Sequence, residues 1–317
     1  MLASPFQFLI VFCPLIFLAA RTHGGEIGIY WGFPESNTTL TTLNNTCNTR
    51  NFKVVSIAAL SNFGNGTAPR EDFGSSCNVA TGGCKHLQHD IEHCQRMGIK
   101  VLLCVGGPTQ NYTLSDADEA HSLATYVYGV YLSGSGVDGP LGRVKLDGVD
   151  FYLRDNVSRT LETNIEAMAK FLKGYDEDIL LSASMRCDYI PGSPLRRALE
   201  KGLLDKVWPR FYDHTCKYNA SQKEPFVSSV KTWTALLNAS FYLGLPTRPD
   251  YPGRSGYIPP EQLKDALEIP ERSCKYAGVM LWNRHWDVKN ENYSTRIKPI
   301  VEATPDKPCI TPLHVVS

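Results

Sequence analysis

Eight short apolar runs recur along the chain, at 27–31, 54–60, 101–105, 149–153, 179–183, 207–212, 241–245 and 279–282, with longer stretches between them. Most are β-branched or aromatic and bounded by Gly, Asn or Pro, which is the pattern of buried strands. Helical spacing fills several of the gaps. Over 85–97, Leu87, Ile91 and Cys94 share a face, and Gly98 follows as a C-terminal stop. Leu161, Ile165, Met168 and Leu172 do the same over 160–172, and 195–204 reads as a shorter helix. Eight strands alternating with helices predict an α/β chain, a (β/α)8 TIM barrel in a single domain over 25–303, with 304–317 as a C-terminal extension. A doubly wound open sheet is the rival, but no G-x-G-x-x-G or P-loop follows the first run. No Pro/Ser-rich linker divides the chain.

Charge excludes some partners. The 32 basic side chains balance 32 acidic ones, so nothing steers the chain toward nucleic acid or an anionic membrane. Hydrophobic residues make up 43%, enough for a packed core. Residues 6–20 are almost wholly apolar and the first charge is Arg21, which is the length of a signal-peptide core and short for a membrane span. Segment 1–24 is therefore read as a signal peptide, cleaved after Ala20 or Gly24, and the protein as secreted, to apoplast or vacuole. Cys13 leaves with it. The nine remaining cysteines are expected in disulfides rather than as metal ligands, with at least one left over or shared with another chain. Eight N-x-S/T sequons, at Asn37, Asn44, Asn65, Asn111, Asn156, Asn219, Asn238 and Asn292, fit a glycoprotein. The string His89-Asp90-Ile91-Glu92-His93, with His86 nearby, mimics a zinc helix. With no third ligand evident it is read as a solvated polar face, and no metal or cofactor is expected.

The most informative string is Asp147-Gly148-Val149-Asp150-Phe151-Tyr152-Leu153-Arg154. On a strand, Asp150, Tyr152 and Arg154 share one face, and Val149, Phe151 and Leu153 take the other. The polar set would point into the barrel and toward its C-terminal mouth, where active sites of this fold sit. Here the sequence resembles glycoside hydrolase family 18, and within it the plant class III chitinases, whose fourth strand carries D-G-x-D-x-D-x-E. Further matches are Gly28-Ile29-Tyr30-Trp31-Gly32, Asn62-Phe63-Gly64-Asn65-Gly66, Val105-Gly106-Gly107 and Gly278-Val279-Met280-Leu281-Trp282, which spread the resemblance over nearly the whole mature chain.

The departures matter most. In the family the last Glu of the string protonates the glycosidic oxygen, and the Asp before it orients the attacking acetamido group of the substrate. Those positions hold Arg154 and Tyr152 here, leaving Asp147 and Asp150. Guanidinium stays charged at working pH and cannot donate its proton, so no catalytic residue is expected. Asp155 would replace the acid only if the strand bulged. Arg154 is expected to pair with Asp150 and fill the old pocket, the alternative being a solvated Arg at the strand end. Tyr30, Tyr212 and Trp282 match positions where the family lines its sugar cleft, and with Asp150 and Arg210 they are the carbohydrate-binding candidates; packing of the three rings against the barrel top is the equal alternative. Ala59 and Arg210 replace a family aromatic and a family amide. The resemblance also implies the pairs Cys47–Cys94, Cys77–Cys84 and Cys187–Cys216, with Cys104, where the family has serine, a buried free thiol; apart from the resemblance, Cys274 and Cys309 could tie the tail to the segment before the last strand. Six of the sequons follow strands and lie near the barrel mouth, where sugars would crowd it.

Among such relatives the chain looks most like the xylanase-inhibitor proteins of cereals, which also carry an Arg-Cys as in Arg186-Cys187. The expectation is a secreted, inactive, monomeric chitinase-like protein whose partner is a microbial glycosidase such as a xylanase. A chitin- or xylan-oligomer lectin and a seed storage protein are the alternatives, and a residual chitinase ranks below them. In the inhibitors a basic loop before the fifth strand reaches into family 11 xylanases. Here that loop, 173–178, is short and acidic, which argues against family 11 and leaves family 10 or another hydrolase open.

Overall fold

The computed structural model describes residues 24–33, 41–107, 112–154, 158–188, 193, 195–212, 214–249 and 256–303. Most of the signal segment, the extension 304–317, and Asn37, Asn111, Asp155 and Asn156 lie outside these. All eight apolar runs overlap strands: β1 (Glu26–Trp31), β2 (Val54–Gly64), β4 (Lys100–Gly106), β5 (Gly148–Tyr152), β6 (Leu180–Arg186), β7 (Lys206–Arg210), β8 (Ser240–Pro246) and β9 (Tyr276–Trp282). Each pairs in parallel with its neighbours, and β1 pairs with both β2 and β9, which closes a (β/α)8 barrel. The strand β3 (Thr67–Glu71) adds an antiparallel hairpin to the end of β2 that overhangs the barrel. Its residues are exposed or half-buried, so no apolar run announced it.

Side-chain alternation sorts the strands into two cores. Val54, Leu102, Cys104, Tyr152, Trp208, Tyr242 and Met280 fill the interior. Val55, Val101, Leu103, Val149, Phe151 and Leu181 face outward onto the helices. There they meet Leu87 and Ile91 of α2 (Leu87–Arg96) and Leu161, Ile165, Met168 and Leu172 of α4 (Arg159–Tyr175), the apolar stripes read from the spacing. Helix α2 ends where Gly98 takes φ 77°, a conformation only glycine enters without strain. Ser158 caps α4, its Oγ accepting from the Leu161 N–H at 3.2 Å. The helix expected over 195–204 is shorter, Arg196–Glu200, because Gly202 turns the chain at φ 66°. No helix among the described residues is long and apolar enough to cross a membrane.

Asp147, first of the string that resembles the family motif, lies at the end of the barrel opposite the mouth. Its carboxylate accepts from Lys100 Nζ (2.8 Å), Gln95 Nε2 (2.9 Å) and the Val101 N–H (2.9 Å). Asp205 repeats the device two strands on, accepting from Lys173 Nζ and the Leu181 N–H. Gly148 is needed for close approach, since a β-carbon there would sit 1.9 Å from the Leu180 carbonyl oxygen.

The three implied disulfides are present. Cys47–Cys94 joins α1 (Leu43–Asn48) to α2, Cys77–Cys84 closes the loop before α2, and Cys187–Cys216 ties the segments after β6 and β7. Cys104 is free and buried in the barrel interior. Cys274 is disulfide-bonded, while Cys309 lies outside the described residues. Chain entropy ranks the bridges by span. Removing Cys47–Cys94, with a separation of 47, should cost about 4 kcal/mol, and removing Cys77–Cys84, with a separation of 7, about 2.5 kcal/mol. Urea unfolding of the paired Cys→Ala variants checks the order.

Candidate functional site

The mouth is built from inward positions near the C-terminal ends of β1, β5, β7 and β9. Asp150 and Tyr152 of β5 point inward, as their spacing predicts, while Val149, Phe151 and Leu153 pack under the helices. Asp150 is fully buried. It accepts from Ser56 Oγ of β2 at 2.9 Å and from Ser182 Oγ of β6 at 3.0 Å. The Tyr30 hydroxyl also bonds to it, and in turn accepts the Trp208 indole N–H at 2.8 Å. Burial pushes the Asp150 carboxyl up to about 6, although all these donors favour its ionised form. The Cys104 thiol beside it is pushed up too, first by burial and then by the Asp150 charge.

The expected ion pair between Asp150 and Arg154 does not form. Strand β5 ends at Tyr152, so strict alternation no longer carries Arg154 inward, and the residue is exposed at the rim. Its guanidinium lies 5.1 Å over the ring of Tyr112, and its backbone N–H donates to the Tyr112 hydroxyl. Tyr112 is itself held by stacking on Phe63, centroids 5.2 Å apart, and by donating to the Gly107 carbonyl at 3.0 Å. Asp150 meanwhile lies in a pocket closed by hydroxyls, where inserting a guanidinium would strip it of water.

Above Asp150 the aromatic candidates pack on one another. Tyr30, Phe33 and Tyr152 lie 5.0, 4.7 and 5.0 Å from the Trp282 ring, and Tyr30 meets Tyr152 edge-on at 5.6 Å. Arg210 is buried with its guanidinium 5.0 Å over the Tyr152 ring, and its Nη1 donates to the Ser184 hydroxyl at 3.3 Å. Tyr212 is buried near Tyr30. Ala58 and Ala59 belong to the same layer, and the peptide bonds Ala58–Ala59 and Trp282–Asn283 are cis.

Sequence reasoning missed Phe33, Tyr112, Trp208 and the three serines. The serines had a signal: polar residues at inward parity within apolar runs, with Ser182 opposite Asp150 in the strand register. Chemically, Tyr152 places a buried phenol in the mouth, and Arg154 places a guanidinium at its exposed rim.

A buried carboxyl with a raised pKa makes stability depend on pH. The unfolded chain releases this proton near pH 4 and the folded one near pH 6, so stability is lost as pH rises between them, by about 3 kcal/mol in full. Urea unfolding across that range should show the decline in the native protein and a flatter profile in Asp150→Asn.

No family model matches the chain. It is 38% identical over 290 residues to an acidic endochitinase of Beta vulgaris, covering 90% of this chain and 95% of that relative. A chitinase structure from Ipomoea carnea superposes with a TM-score of 0.78 at 34% identity, covering 87% of this chain and all of that one. The xylanase and alpha-amylase inhibitor protein of Scadoxus multiflorus superposes at 0.76 with 29% identity, covering 86% and 97%. With a closed barrel and likeness along nearly the full length, the chain belongs to the plant class III chitinase-like proteins of glycoside hydrolase family 18.

Proposed function

We propose that this is a secreted, catalytically inactive chitinase-like glycoprotein that acts as a monomer to inhibit microbial glycosidases in plant defence. The observation that carries the inactive half is Tyr152. It stands where the substrate-assisted mechanism needs a carboxylate, and it is wedged among Tyr30, Phe33 and Trp282 beneath Arg210. Arg154, at the acid position, points out to the rim. Together these remove both the proton donor and the space a distorted sugar would occupy.

The inhibitory half is supported by likeness to the Scadoxus inhibitor, whose name gives xylanase and alpha-amylase as its targets. The loop before β6 does not favour family 11 xylanases. Its one cation, Lys173, is tied to Asp205 and to the Glu177 carbonyl, and Glu177 and Asp178 are exposed beside it. Family 10 xylanases and alpha-amylases are the first targets to try. Secretion is supported by the apolar leader and the disulfides. Asn65, Asn219, Asn238 and Asn292 are exposed sequons, and Asn44 is half-buried on α1.

The purified glycoprotein titrated into these enzymes should abolish activity stoichiometrically at nanomolar concentration. Failure against all of them, with saturable binding of chitin oligomers that Trp282→Ala abolishes, would replace the inhibitor by a lectin. Chitin oligomers should survive incubation with the native protein, whereas Tyr152→Asp with Arg154→Glu should restore measurable cleavage. Cleavage by the native protein would refute the inactive reading.

A further inference from the structure

We propose that the Asn65–Gly66 turn is a latent site of spontaneous deamidation that Glu119 holds closed. The turn ends the β2–β3 hairpin, with Asn65 at φ 53° and Gly66 at φ 68°, both exposed. Glycine after asparagine leaves the backbone nitrogen unshielded, and no atom lies within 4 Å of where a Gly66 β-carbon would be. In the reaction the deprotonated Gly66 nitrogen attacks Cγ of Asn65, and a C–N bond forms as Nδ2 leaves as ammonia. Water then opens the resulting succinimide to aspartate or isoaspartate. The balance is one water consumed and one ammonia released, with no oxidant or reductant.

Glu119, near the N-terminus of α3 (Ala117–Val127), blocks the first step. Its Oε1 accepts the Gly66 N–H at 2.7 Å, which pins the nucleophile and sets a negative charge against forming an amide anion. The carboxylate is itself fixed, because Oε2 accepts from the Ser115 N–H at 2.8 Å and from Ser115 Oγ at 2.9 Å. These Ser115 bonds first, then those from the Gly66 and Asn65 backbone, hold its pKa below the ordinary carboxylate value, so it stays ionised where base-catalysed attack occurs. A sugar on the Asn65 sequon would be a second lock, since it occupies the nitrogen that must depart. Deamidation would erase that sequon and place a new charge beside Glu119, loosening the tie between hairpin and α3.

The test uses the full secreted chain carrying Thr67→Ala, which removes the sequon and keeps Asn65–Gly66. Peptide mapping by mass spectrometry after incubation at mildly alkaline pH follows amide-to-acid conversion at residue 65. Adding Glu119→Ala should raise the rate roughly tenfold, the factor a lost charge-assisted hydrogen bond of about 1.5 kcal/mol corresponds to. Glu119→Gln keeps the size of the side chain and one acceptor, and should give a smaller rise. It serves as the readout if the alanine variant does not fold. Equal rates in the Thr67→Ala parent and the folded Glu119 variants would overturn the proposal.

Discussion

Closure of the strand ring governs everything else in this molecule. Once β1 pairs with both β2 and β9, every second side chain of eight strands must share one narrow interior. Apolar residues fill most of it. The polar ones must find partners there, because no water can be counted on to satisfy them. Asp150 shows the consequence: its two oxygens are matched by hydroxyls from strands on either side of it, Ser56 and Ser182, and still burial holds its proton to about pH 6.

The same confinement explains the mouth. A carboxylate at position 152 would demand solvent or a cation, whereas a tyrosine ring can be packed, and here it is packed against Tyr30, Phe33 and Trp282. The ring also gives Arg210 a face to lie on, so a buried guanidinium is partly compensated by the aromatic quadrupole. Arg154 uses the same device on Tyr112, outside the interior. Of these two cation–ring contacts, one is buried in the mouth and one lies at its rim. The chitinase-like scaffold thus surrounds a mouth filled by packed rings.

Away from the mouth, the polar work is structural. Asp147 and Asp205 each accept from the amide of the second residue of a neighbouring strand at the opposite end of the barrel, and the disulfides tie segments outside the sheet. Glu119 adds a tie from α3 to the tip of the β2–β3 hairpin.

Much of this was legible in the amino-acid order. Period-two and period-3.6 patterns are local, so the eight strands, the helices α2 and α4, and the inward parity of Asp150 and Tyr152 followed from spacing alone. The chemical incapacity of phenol and guanidinium as acids near neutral pH is equally a property of the residues. The partner of Arg154 was not legible. Alternation placed it over Asp150, but the strand stops two residues earlier, and where a strand stops depends on pairing with its neighbours. Phe33, Tyr112 and Trp208 come from three distant segments, and only closure of the barrel brings them to the mouth. The pKa of Asp150 likewise depends on depth beneath those rings. Sequence by itself determined which elements form and which groups can ionise; tertiary structure decided which of them meet and how far from water, because contact and desolvation are properties of the closed barrel and not of any segment within it.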